Sequence, residues 1–182
     1  MRAVIQRVNR ARVTIEGATP GGTSGAIERG LLVYLGVARG DGDTEVQWCA
    51  RKIAEMRLFP GDPGTDATGR MDRSVEDLAI GAGEAGVGGG GGAVLLVSQF
   101  TLYADTRRGR RPAFTGAAPP EVAAPLIAAV AAALRARGLR VEGGRFGAHM
   151  LVESENDGPV TIILDSTDRD RPRRGAHGDA GG

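Results

Sequence analysis

Hydrophobic and polar positions alternate from the start of the chain. Val4, Gln6 and Val8 fall on one face of an extended segment and Ile5 and Arg7 on the other, the two-residue period of a strand. Asn9-Arg10 offers turn chemistry. Val13 and Ile15 then resume the alternation against Arg12, Thr14 and Glu16, so the pattern predicts a hairpin. Residues 17–26, rich in Gly, Thr, Ser and Pro, predict a surface loop. Leu31-Leu32-Val33-Tyr34-Leu35-Gly36-Val37 and Ala93-Val94-Leu95-Leu96-Val97 are unbroken apolar runs, as expected of strands covered on both faces.

Two stretches carry helical spacing. One opens at Asp43 or Thr44 as its cap and buries Val46, Cys49, Ala50, Ile53 and Ala54. The other spans about 120–137, with Val122, Leu126, Val130 and Leu134 every four residues and Gly138 as its stop. Pro125 in that segment is tolerable only near the first turn. Residues 60–69 form a loop, and Met71–Ile80 fits either strand or helix. The tract 81–92, nearly all Gly and Ala, predicts a flexible connection. Leu139–Glu142 suits a short strand. Met150–Val152 and Val160–Leu164 suit two more, joined through Asn156-Asp157-Gly158-Pro159 as a hairpin turn whose X-Pro bond is cis or trans. The polar segment after Ser166 reads as a disordered tail, with 1–166 as one domain. The sum is a strand-dominated α+β fold with two principal helices.

Composition narrows the function classes. With 182 residues, 41% hydrophobic and 25% charged, the chain has enough apolar content for a core. It lacks the run of about 18 apolar residues that a membrane span needs. A formal charge of +1 argues against a broad electropositive face for nucleic acid, though not against a local patch. The single cysteine, Cys49, has no internal partner, which suits a reducing cytoplasm.

The usual catalytic constellations are missing. His149 stands beside an apolar strand with no Cys or His at zinc-ligand spacing, and His177 falls in the tail. No G-x-S-x-G elbow surrounds Ser98, and there is no Walker loop or dinucleotide fingerprint. No metal or cofactor is therefore expected. Three features remain. Ser98-Gln99-Phe100-Thr101 ends a buried strand, where peptide N–H groups lose their ladder partners; they could face a developing oxyanion or simply cap the strand. Arg107, Arg108, Arg110 and Arg111 put four positive charges into five residues, suited to phosphodiesters or to an idle solvated loop, with Tyr103 and Phe114 near enough in sequence to stack. The third is the Asn156–Pro159 turn itself.

Taken together, these segments resemble the D-aminoacyl-tRNA deacylases of the Gly-cisPro type. The likeness runs through Met1-Arg2-Ala3-Val4-Ile5-Gln6-Arg7-Val8, Gly30-Leu31-Leu32-Val33, Gly36-Val37, Lys52-Ile53 and Arg57-Leu58-Phe59. It is densest in Ser98-Gln99-Phe100-Thr101-Leu102-Tyr103-Ala104-Asp105 with Arg110-Arg111-Pro112, and it closes with Gly147-Ala148-His149-Met150 and Asn156-Asp157-Gly158-Pro159-Val160-Thr161. The resemblance implies a homodimer around a β-barrel-like antiparallel or mixed sheet with flanking helices. It implies hydrolysis of the ester between a D-amino acid and the terminal adenosine of tRNA, with mischarged glycyl-tRNA as a second substrate. Ser98, Gln99, Phe100 and Thr101 match the family's active-site strand end. Gly158 and Pro159 match its chiral selector, which reaches into the other subunit's pocket, and Arg7 matches the arginine that props it. Catalysis would then rest on the Phe100 and Thr101 peptide N–H groups and on the substrate's own 2′-hydroxyl. Ser154 and Glu155 are more polar than the residues usual before the Gly-Pro segment. The rival reading is a non-catalytic tRNA- or DNA-binding protein that uses the Arg107–Arg111 cluster.

Overall fold

A computed structural model describes residues 1–15, 23–61, 70–84 and 91–171. Its spine is β1 (Arg2–Ile15), a continuous 14-residue strand. On one edge, the first half of β1 pairs antiparallel with β3 (Gly30–Gly36) and the second half with β2 (Thr23–Ile27). On the other edge β8 (Met150–Asp165) runs antiparallel along its whole length. Beyond β3 the sheet turns parallel, through β6 (Ala93–Ser98) and β7 (Arg140–Gly143). The Ser24 hydroxyl donates to the Gly143 carbonyl at 3.1 Å, bringing β2 back towards β7 and curling the mixed sheet into a nearly closed barrel.

Both unbroken apolar runs are central strands buried on two sides. Leu31, Val33 and Leu35 of β3 and Val94 and Leu96 of β6 face a helical layer, with α1 (Asp43–Glu55) contributing Cys49 and Ile53 and α3 (Pro120–Ala136) contributing Val130 and Leu134. Leu32, Ala93, Leu95 and Val97 point the other way and fill the barrel with Val8, Ala11, Val13 and Ile27. A hydrophobic side for each face explains why these strands show no polar alternation.

Several expectations change. The hairpin at Asn9-Arg10 does not form, because β1 continues through it. Nor do residues 156–159 turn the chain back; β8 is one 16-residue strand. The two turn-like segments instead face each other as paired irregularities. Gln6 is opposite Thr161 and Val8 opposite Asn156, so Arg7 alone confronts residues 157–160, while Asn9 is the extra residue between Val8 and Arg10. Turn chemistry is thus spent on bulges within a long ladder.

The cap of α1 is Gly42, whose N–H donates to Glu45 Oε2 at 2.9 Å, not Asp43 or Thr44. The ambiguous stretch resolves into β5 (Met71–Arg73), paired with β4 (Phe59–Pro60), and a third helix, α2 (Val75–Glu84). Ser74 and Asp77 start α2 reciprocally: the Ser74 N–H donates to Asp77 Oδ2 at 2.8 Å and the Asp77 N–H to Ser74 Oγ at 3.1 Å. In α3 Val130 and Leu134 are fully buried, but Val122 is exposed and Ala123 takes its place. A four-residue step leads the helical repeat by about 40°, so the stripe rotates off the core within three steps. Pro125 lies inside α3, past its first turn.

Of the loop expected at 17–26, residues 23–26 belong to β2 and 16–22 lie outside the described residues. Of the glycine tract, 81–84 belong to α2 and 85–90 lie outside. The tail begins with a 3-10 turn, Ser166–Asp170, tied to α1 by Arg169 and Glu45 at 2.8 Å; residues 172–182 lie outside the described residues. Ser154 and Glu155 are exposed, and Glu155 pairs with Arg10 and accepts from Asn9, so polar residues fit that side of β8. Among the described residues no helix is long and apolar enough to cross a membrane.

Candidate active site

Where β6 ends, the chain enters a one-turn 3-10 helix, Phe100–Tyr103. The Gln99 N–H still reaches back to Leu35 O at 2.8 Å, which docks the turn on the end of β3. Gly36 makes that docking possible: a Cβ there would lie 2.8 Å from the Gln99 carbonyl oxygen and 3.3 Å from the Tyr103 ring. Within the turn, the Leu102 N–H goes to Gln99 O and the Ala104 N–H to Thr101 O. The first N–H groups of such a turn, on Phe100 and Thr101, have no partner inside it.

Beside this turn lies a cavity of about 590 Å³, walled by the ends of β3 and β6, residues 117–120, Ala123 and Ile127 of α3, and the 146–150 segment. Its lining is mostly apolar, with Ser98, Gln99, Arg39 and His149 as the polar side chains. Phe100 stands at its rim, 58% exposed, in an edge-to-face contact with Phe114 at 5.0 Å between ring centroids. Ser98, Gln99 and Phe100 thus share the wall, whereas Thr101 does not line it; the Thr101 hydroxyl accepts from the Gln99 side-chain amide.

Arg7, Gly158 and Pro159 gather elsewhere. Arg7, 8% exposed, donates to Leu58 O at 2.7 Å and pairs with Asp157 at 2.8 Å, filling the gap that the four-residue bulge opens opposite it. The Gly158–Pro159 bond is cis, and both residues are exposed, outside the cavity of their own chain. Gly158 has φ +122°, and a Cβ there would meet Val160 at 2.8 Å and Arg7 Nη2 at 3.1 Å.

The arginine cluster sits on an exposed loop closed by the Asp105–Ala113 bridge. Arg107 is committed to Asp105, whose carboxyl its hydrogen bonds pull down to about 2. Arg108, Arg110 and Arg111 are exposed and carry no such partner among the described residues. Burial pushes the Cys49 thiol up to about 12, which fits packing and not nucleophilic chemistry. Sequence reasoning missed Arg39, whose Nε donates to Thr115 O at 2.9 Å, and Phe146. Arg39 has no signal in the sequence. Phe146 did have one: it is one of four phenylalanines and stands between glycines at 144 and 147. His149, set aside on the sequence alone, belongs to the cavity lining.

The sequence model of D-Tyr-tRNA(Tyr) deacylase matches residues 4–165, nearly the whole described chain. The chain belongs to this family. A D-aminoacyl-tRNA deacylase of Roseiflexus castenholzii is 51% identical over 173 residues, covering 95% of this chain and 97% of the relative. One of Kineococcus radiotolerans is 52% identical over 166 residues, covering 91% of this chain and all of its own length. Among solved structures, a c-Myc DNA unwinding element binding protein is 37% identical with a TM-score of 0.72, covering 91% of this chain and 99% of that one. A protein described as a probable eukaryotic D-amino acid tRNA deacylase, at 17% identity and a TM-score of 0.70 over 90% of this chain and 97% of that one, shares the fold.

Proposed function

We propose that this deacylase hydrolyses D-aminoacyl-tRNA, and mischarged glycyl-tRNA, in the cytoplasm by a mechanism that uses peptide groups in place of reactive side chains. The observation that carries the reading is the turn at the cavity edge, whose Phe100 and Thr101 N–H groups are unclaimed by the turn itself. A water oxygen attacks the ester carbonyl carbon, and these donors hold the oxyanion that forms. The bond to the ribose 3′-oxygen then breaks, and that oxygen takes a proton relayed through the neighbouring 2′-hydroxyl. The products are the free amino acid and tRNA ending in an intact diol. Thr101 acts through its backbone, and its hydroxyl, which accepts from Gln99, is secondary.

Handedness is sorted by a second copy of the chain. Gly158 and Pro159 of one protomer enter the cavity of its partner, where their carbonyls accept the α-amino group and leave no room for an L side chain. Their exposure outside their own cavity supports this, as does Ile163 further along β8, an apolar side chain 73% exposed. Arg108, Arg110 and Arg111 meet the tRNA backbone.

Incubation of the purified protein with D-tyrosyl-tRNA and with L-tyrosyl-tRNA tests the reading. Release of the D form alone is expected. Equal release of both overturns the selector, and binding to tRNA or DNA without release favours the non-catalytic rival.

A further inference from the structure

The turn that carries the proposed oxyanion donors is held from below by Gly36, and from the side by a residue with no assigned role. Arg2, at the start of β1, lies between Gly36 of β3 and Asp165 of β8. Its Nη1 donates to the Leu102 carbonyl at 2.8 Å, the only hydrogen bond between the turn and β1 among the described residues. Its guanidinium also stands 4.9 Å from the centroid of the Tyr103 ring. Nε and Nη2 both grip Asp165 Oδ2, at 2.9 and 2.8 Å. The other oxygen of that carboxylate, Oδ1, accepts from the Thr167 N–H and hydroxyl at 3.0 and 2.9 Å. The anchor that fixes Arg2 is therefore itself fixed.

We infer that Arg2 is a positioning residue for deacylation, setting where the Phe100 and Thr101 N–H groups point by clamping the turn between β1 and β8. The inference rests on the reading above of those N–H groups as oxyanion donors. A planar guanidinium is the side chain for the task. It offers donors in two directions at once, where an ammonium is a single point charge that cannot satisfy Leu102 O and Asp165 Oδ2 in the same fixed geometry. A small displacement is enough to matter, since about 1 Å of misplacement can cost about a hundredfold in rate.

The experiment compares wild type with Arg2→Gln, Arg2→Lys and Asp165→Asn, measuring kcat and KM for D-tyrosyl-tRNA, thermal unfolding, and amide hydrogen exchange at Phe100 and Thr101. Arg2→Gln should lower kcat about 10- to 100-fold, leave KM within about threefold, and speed exchange at both amides in a folded protein. Arg2→Lys should recover part of the loss. Asp165→Asn should lower kcat less than Arg2→Gln does, and the double variant should be no worse than Arg2→Gln alone, because one clamp is being broken. Unchanged kcat in Arg2→Gln overturns the inference. So does full recovery in Arg2→Lys together with losses that merely follow the folded fraction. If wild type releases no amino acid the functional reading falls, and unchanged exchange at Phe100 and Thr101 would then sink the positioning role separately.

Discussion

Two regions of this chain look alike in sequence, each a short motif at an irregular point of a strand, yet they are built to opposite ends. The Phe100–Tyr103 turn is complete within its own chain: it docks on Gly36 and Leu35, is gripped by Arg2, and borders a cavity. The 157–160 bulge is complete only at its root. Arg7 ties it to Asp157 and to Leu58 O, but Gly158 and Pro159 are exposed and lie outside the cavity of their own chain. The contrast teaches that a stiffly supported, outward-facing backbone segment makes sense as a tool for another molecule.

The largest effect should come from Gly158→Ala. With φ at +122° and a Cβ 2.8 Å from Val160, alanine costs about 1–3 kcal/mol locally and moves the exposed carbonyls. Turnover of D-tyrosyl-tRNA should fall at least about a hundredfold while circular dichroism stays native. Wild-type turnover in this variant would break the comparison at the bulge. Gly36→Ala strikes the other region, because its Cβ would sit 2.8 Å from Gln99 O and push the turn outwards. A fall in kcat of about tenfold to a hundredfold is expected. Mixing the two inactive chains sharpens the contrast further: random exchange in a two-fold dimer should restore about a quarter of wild-type turnover, through heterodimers with one intact site. No recovery on mixing would mean that the bulge serves its own protomer.

Thr101→Ala should be nearly silent, with kcat within about fivefold of wild type. A loss of about 10⁴ or more would make the hydroxyl a nucleophile. The smallest effect concerns Cys49, in the helical layer behind the site. Its folded thiol titrates near 12 against an ordinary value of 9.0, so the unfolded chain loses its proton first as pH rises. That contribution to stability is full below pH 9 and is lost between 9 and 12. Iodoacetamide at pH 8 should therefore label unfolded protein quickly and native protein very slowly. Rapid labelling of native protein would show that this layer is not closed.

What the sequence revealed follows from where the physics is local. The apolar runs of β3 and β6 and the helical face of α1 are written in side-chain periodicity, and they are where expected; α3 spans the expected residues, but its buried face takes Ala123 in place of Val122. The strand end at Ser98–Thr101 was visible as a motif for the same reason. Asn9-Arg10 and Asn156–Pro159 were misread because turn chemistry is local while strand register is not. Each is a plausible turn alone, and only their juxtaposition across the β1–β8 ladder makes them matching bulges. Arg39 and Arg2 were illegible as site residues because their partners, Thr115 O and Leu102 O, are main-chain atoms 76 and 100 positions away. No periodicity encodes a contact of that kind.

The β1–β8 ladder also has a consequence for how the protein is made. β1 leaves the ribosome long before the strand it pairs with along its full length, which starts at Met150. At about 5–20 residues per second, β1 waits about 8–30 s with an uncovered edge before that partner exists. The ladder therefore cannot close until residues 150–165 have emerged, and a nascent chain stalled before residue 150 would carry an unsatisfied hydrogen-bonding edge that invites pairing with its neighbours.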